Sequence, residues 1–316
     1  MFGRRYNAAV PIPAADSLYG LPAKTMRPKS SFTIFCTLLV LTASCRSRDD
    51  HEPGVAKPAV KFSRTRIALG SPVDVTYRFE IAPNARFDQD YYVMAHFLDS
   101  DQSLLSTDDH KPPTPTTKWK GGQVIEYTRT VFVPIYEYVG DATFNVGLYS
   151  VKDQRRLPLD GQNTGQRSYR VASLELLPQN ENVFLVYKSG WHPKEVASET
   201  SWQWTKKTAT ISFKNPKRDS VLYLHADNPG SPFNEPQRIT VSVKGQVVET
   251  FDLPGNQEIV RRTPLSAAQL GTDELAEVQI EADKTYVPAL LPASNSRDSR
   301  ELGIRVFHVF VEPRGR

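Results

Sequence analysis

Residues 73–81, VDVTYRFEI, carry an apolar side chain at every odd position and a polar one at every even position. A side-chain period of two is what a strand with one buried face requires, and a helix would scatter such a stripe around its axis. Residues 124–134 and 142–149 follow a similar rule. Residues 91–98 are nearly continuously apolar, as in a central strand. Turn formers separate these runs: Gly70-Ser71-Pro72, Asp99-Ser100-Asp101, Gly121-Gly122 and Asp160-Gly161. Nowhere does a helical repeat persist.

Several short strands at this spacing predict an all-β antiparallel sandwich of the immunoglobulin type over residues 59–177. The Cys-Trp-Cys signature of antibody domains is absent, so the expectation concerns architecture alone. Residues 177–182, LPQNEN, read as a linker. A second β unit follows, with strands at 183–187, 208–213, 221–226, 238–243, 247–253, 276–282 and 303–311. Lys244-Gly245 sits at the tip of a hairpin, and 265–270 suits one short helical turn. The last strand has apolar residues at 304, 306, 309 and 311, with Phe307 and Phe310 between them, which predicts a well-buried closing strand.

The chain has two cysteines, and both lie near its start. Arg27 and Lys29 precede an apolar run at 32–41, which contains Cys36; Ala43 and Ser44 then lead into Cys45. This is the three-part layout of a secretory signal, and the run is too short for a bilayer span of ~20 residues. Leu41-Thr42-Ala43-Ser44-Cys45 resembles a bacterial lipobox, with Thr42 where Leu is usual. The resemblance implies that Cys45 is lipidated, becomes the mature N-terminus and anchors the chain to the cell envelope. Arg46 after the cysteine implies the outer membrane where the cell has one; plain secretion to the periplasm or beyond is the alternative. Translation from Met26 gives a compact signal, and from Met1 a longer one. Residues 46–58, RSRDDHEPGVAKP, read as a tether.

Removing residues 1–45 changes the chemistry. No cysteine remains for a disulfide, a thiolate metal site or a nucleophile. Of 39 basic and 35 acidic residues, five basic ones and Asp16 leave with the leader, so 34 of each remain and cancel. A neutral chain has no electrostatic footprint for nucleic acid.

The second unit presents, in order, Gly190-Trp191, Glu195, Trp202-Gln203-Trp204-Thr205, a strand turn at Val241-Ser242-Val243-Lys244-Gly245, and Asp298-Ser299-Arg300-Glu301-Leu302-Gly303 before the final strand. This order resembles the galactose-binding-like jelly-roll modules of bacterial cell-surface glycan proteins. The resemblance implies a jelly roll of about eight strands over residues 182–313 and association with glycans, without implying catalysis. Trp191, Trp202 and Trp204, with His192, Glu195 and Gln203, are the candidate sugar site: a flat ring suits the C–H face of a pyranose, and polar neighbours suit its hydroxyls. In a strand Trp202 and Trp204 share a face, which is either an exposed platform or part of the core. Tyr286, Asn295, Asp298 and Arg300 flank the last strand; Asp298 and Arg300 serve sugar recognition or a structural ion pair.

Other constellations lead less far. Asp99-Ser100-Asp101 begins like a calcium loop, but Leu104 and His110 stand where Gly and Glu are needed, so a turn is expected. Asp108-Asp109-His110 joins carboxylates to an imidazole ahead of the rigid Lys111-Pro112-Pro113-Thr114-Pro115; a structured loop over Trp119 is expected rather than a catalytic pair. The six histidines are scattered, which predicts no metal site, and His225 and His308 are read as hydrogen-bonded sheet residues. Serine-elbow, zincin, P-loop and dinucleotide motifs are missing. The expected role is a non-enzymatic binding or assembly module at the bacterial envelope, with surface polysaccharide as ligand and no cofactor. A protein–protein adaptor and a carboxylate-based glycan hydrolase are the alternatives.

Overall fold

The computed structural model describes residues 52–135, 137–179, 184–197, 200–291 and 295–315. Cys36, Cys45 and the lipobox lie outside them, as do residues 46–51 of the tether.

The first part holds β1 (Ala56–Phe62), β2 (Arg66–Ala68), β3 (Pro72–Ile81), β4 (Tyr92–Leu98), β5 (Leu104–Thr107), β6 (Val124–Phe132), β7 (Gly140–Tyr149), β8 (Gln162–Asn163) and β9 (Tyr169–Leu177). They make a three-stranded sheet, β1-β3-β6, and a six-stranded sheet ordered β2-β9-β7-β4-β5 with β8 on β9. Pairing is antiparallel except for β2 on β9. The alternation in β3 points Val73, Val75, Tyr77, Phe79 and Ile81 inward. They meet Val93, Phe97, Phe144 and Leu148 of the other sheet in one apolar cluster. β1 begins at Ala56 and Val55 packs on that cluster, so the tether expected through residue 58 ends earlier. Ala56, Pro58 and Phe62 face inward, and Pro58 is tolerated because β1 is an edge strand.

The second part holds β10 (Leu185–Tyr187), β11 (Glu195–Ala197), β12 (Thr200–Trp204), β13 (Thr208–Lys214), β14 (Ser220–Asp227), β15 (Gln237–Val243), β16 (Gln246–Leu253), β17 (Ile259–Leu265), β18 (Leu275–Ala282) and β19 (Arg305–Pro313). Two five-stranded antiparallel sheets, β10-β13-β18-β15-β16 and β11-β12-β19-β14-β17, face each other across a second apolar cluster. The jelly roll was expected with about eight strands; the short edge strands β10 and β11 account for the excess. Lys244 and Gly245, with φ of 49° and 77°, form the left-handed turn that a two-residue hairpin needs. The expected helical turn is α1 (Ala267–Leu270), opened by a Ser266–Gln269 capping box. The Glu249 carboxylate on β16 takes hydrogen bonds from Arg261 and Thr263 on β17, tying the two sheets along one side.

The sandwiches meet along a seam. Phe132, at the end of β6, is 8% exposed. It stacks on His308 at 4.8 Å and 9° and lies near-parallel to His225 at 5.7 Å and 5°. Tyr223 meets it edge-on at 6.4 Å. Beside these rings, Arg262 bonds Asp74 and Thr130, and Arg64 bonds Glu312.

Gly190 is the tightest backbone approach in the second sandwich: φ is +79°, and a Cβ there would lie 1.8 Å from the Thr208 carbonyl oxygen. Gly190→Ala should therefore destabilise the fold by about 3 kcal/mol or more. Gly230→Ala, at φ +70° in open space, should cost only about 1 kcal/mol. Urea unfolding of the two variants measures the difference.

Candidate functional site

A cleft of about 910 Å³ opens beside the seam. Its walls come from the chain between Ser106 and Lys111, from β6 between Thr128 and Phe132, and from His225, Glu258, Phe307, His308, Thr200 and Ser201.

On the first sandwich, β5 hands over to an irregular stretch that still pairs with β4: His110 and Val93 exchange backbone hydrogen bonds at 3.0 and 2.8 Å. Asp109 accepts the Ala95 N–H at 2.9 Å, and the prolines at 112 and 113 end the pairing. This aims the Asp108 carboxylate inward. It accepts from Tyr77 Oη at 3.0 Å and from Arg129 Nε and Nη2 at 3.2 and 2.9 Å. His110 Nδ1 donates to the Asp108 carbonyl at 2.6 Å, and its Nε2 accepts from Tyr127 Oη at 2.8 Å. Burial pushes the His110 pKa below its ordinary value and raises Tyr77 and Tyr127. Both imidazole nitrogens are therefore engaged in a neutral ring, and His110 is not a free base. Trp119 reaches the proline loop as expected, through Nε1 to the Thr114 carbonyl at 2.9 Å.

On the second sandwich the cleft is shaped by one irregularity. His225 on β14 pairs with His308 on β19, yet the next pair is Ala226 with Val306. Phe307 is thus the extra residue of a β-bulge. The bulge shifts the strand by half a pleat, so Val306, Val309 and Val311 belong to the core while Phe307 and His308 both line the cleft. The sequence held this signal in the change of apolar phase from 304 and 306 to 309 and 311. Pairing of β14 with β19 also joins two histidines that sequence spacing kept apart, with Nδ1 atoms 3.2 Å from each other. His225 Nε2 donates to Glu258 Oε1 at 2.5 Å, and that bond lowers the Glu258 pKa despite burial.

Of the residues singled out in the sequence, Asp108, Asp109, His110, His225 and His308 line this cleft, whereas the sugar-site candidates Trp191, His192, Glu195, Trp202, Trp204, Asp298 and Arg300 lie elsewhere. Trp204 is 7% exposed, so of the two alternatives for the Trp202 and Trp204 face, Trp204 takes the core one. Arg305 lies over the Trp202 ring at 5.1 Å, and the Trp202 indole N–H has no partner among the described residues. Trp191 packs against the core and donates Nε1 to the Thr210 carbonyl at 2.9 Å. The buried His192 ring donates Nε2–H to the Glu301 carbonyl at 2.7 Å. Arg300 is gripped by Asp298, at 2.9 and 2.7 Å, and by Glu195 at 2.6 Å. These contacts make Glu195, Asp298 and Arg300 one ion-paired cluster that pins the loop before β19. Asp99 caps its turn by accepting the Asp101 and Ser103 N–H groups at 2.9 and 2.8 Å. Among the described residues no group of three metal-binding side chains occurs.

No protein-family model matches the chain. No curated protein matches it either. Among solved structures it is similar to the tandem CBM22-1 and CBM22-2 domains of Paenibacillus barcinonensis Xyn10C, at 9% identity over 84% of this chain and 94% of that one, with a TM-score of 0.28. It is also similar to a Bacteroides uniformis β-glucuronidase, at 11% identity and a TM-score of 0.26, covering 82% of this chain and 30% of that one. At such scores the likeness carries no argument about this chain, and the site rests on its own residues.

Asp108 is the acceptor on which the first wall is built. Asp108→Ala leaves Arg129 and the Tyr77 hydroxyl unpaired and should cost about 2 kcal/mol. Arg66→Ala, which removes the exposed pair with Glu175 at 2.8 Å, should change stability by less than about 0.5 kcal/mol. Chemical denaturation compares them.

Proposed function

We propose that this chain is a lipid-anchored protein of the bacterial envelope, without catalytic activity, whose cleft between the sandwiches binds polysaccharide. The observation that carries the reading is the bulge in β19. It costs the strand a regular ladder at one position and presents an aromatic ring and an imidazole side by side to a groove. Phe307 offers an apolar face for a sugar ring, and Thr200, Ser201, Thr128 and Thr130 offer hydroxyls along the same walls. Most of the charged groups are matched by a neighbour: Asp108 by Arg129, Glu258 by His225 and Asp109 by His96, while the Lys111 ammonium lies over the Tyr92 ring. Such internal pairing favours an uncharged ligand over an ionic one.

A hydrolytic reading finds less support. Glycosidase chemistry needs one carboxyl held protonated as general acid. Glu258 is shifted the other way by its bond from His225, and Asp108 is committed to Tyr77 and Arg129. The envelope location rests on Cys45 and the signal before it.

Calorimetric titration with soluble neutral polysaccharides (a glucan, a xylan and a galactomannan) tests the ligand class. At least one should bind, and Phe307→Ala should weaken it about ten-fold without unfolding the protein. Binding that survives Phe307→Ala but is lost in Trp191→Ala or Trp202→Ala would move the site to the tryptophans. For the anchor, Cys45→Ser should abolish fatty-acid labelling and release the chain from membranes. Unchanged partition into the membrane fraction would overturn it.

A further inference from the structure

The His225–His308 contact has a definite geometry. The rings lie within 9° of coplanar with centroids 5.5 Å apart. That separation is the 3.2 Å between Nδ1 atoms plus one ring radius on either side. The two nitrogens therefore meet head-on. Two ligands of one tetrahedral metal ion would aim at a point off the line between them; a head-on meeting is an N–H···N hydrogen bond. Such a bond needs one N–H and one lone pair. Because His225 Nε2 donates to Glu258, two protonation states satisfy it. Either neutral His225 accepts at Nδ1 from His308, or the His225 cation donates to a neutral His308. Both leave at least one ring neutral. A further proton would set two N–H groups and two cations against each other.

The same rings hold the seam, since Phe132 lies parallel to both. We propose that the His225–His308 pair makes the seam acid-labile, closing the cleft walls in register while one ring stays neutral and releasing Phe132 when both are protonated. The response of a bound glycan rests on the reading above; the seam itself does not.

The charged surroundings favour this behaviour. Burial first, and then the charge of His225, push His308 down to about 4; Glu258 opposes them and Lys194 adds to them. Glu258, just before β17, is itself under Arg129 of β6 and Arg305 of β19. Arg129 is in turn held by Asp108. An opened seam returns His308 toward 6.5, so between about 4 and 6.5 the open form takes up a proton that the closed form refuses. Seam stability is thus complete above pH 6.5 and declines as the pH falls toward 4. His308 itself is exposed to the cleft. Water there screens part of the effect, and opening should rise about ten-fold from pH 7 to pH 5.

Hydrogen exchange on the full chain in detergent, corrected for the intrinsic effect of pH, reads this directly at residues 130–134 and 306–309. Exchange there should quicken about ten-fold at pH 5 with the far-ultraviolet circular dichroism unchanged. His308→Phe, which keeps a ring against Phe132, should abolish the response. A flat profile in the natural chain, or an equal rise in His308→Phe, overturns the proposal. Should that variant not fold, an NMR titration of His308 in the natural chain decides instead. A midpoint below about 5.5 supports the proposal, and one at or above it sinks it. If exchange rises in acid while none of the three polysaccharides binds at pH 7, the seam stands and the glycan reading falls.

Discussion

The contact of Phe132 with the His225 and His308 rings is what the working arrangement depends on. Each sandwich has its own apolar cluster, and neither cluster crosses between them. Among the described residues, those that join them include one buried ring from β6, three aromatic neighbours, and the contacts of Arg262 with Asp74 and Thr130 and of Arg64 with Glu312. Without that joint the two walls of the cleft would have no fixed separation. A contact built of a few rings and ion pairs is weaker than a core, which is why the proposed protonation of both imidazoles would matter to it.

The fold was legible because the period of two is a local signal. Val73 through Ile81 needed no partner to announce a half-buried strand, and β18 (Leu275–Ala282) shows the same pattern with all four inward residues buried. The hairpin at Lys244-Gly245 and the helical turn before Gly271 were equally local. The start of β1 was hidden by Pro53 before it, by Pro58 within it and by the lysines that alternate with its buried residues.

The site was much less legible, and the reason is topological. The tryptophans drew attention as large, clustered, sugar-compatible rings, yet such rings serve a core just as well; Trp204 went inside. His225 and His308 are 83 residues apart, and only the pairing of β14 with β19 makes them neighbours. Asp108 was noticed without Tyr77 and Arg129, because those come from strands whose registers the sequence does not print. The ion-paired reading of Asp298 and Arg300, by contrast, needed a spacing of two residues and was visible.

The bulge at Phe307 places part of the cleft wall under the control of chain length. Deleting Phe307 or His308 would restore unbroken alternation through β19 and leave one cleft-facing residue between Val306 and Val309 where there are now two. Point substitutions would leave that geometry in place. Gain or loss of this groove among related chains would then follow from one-residue insertions and deletions, a kind of change that residue-by-residue comparison scores as a gap.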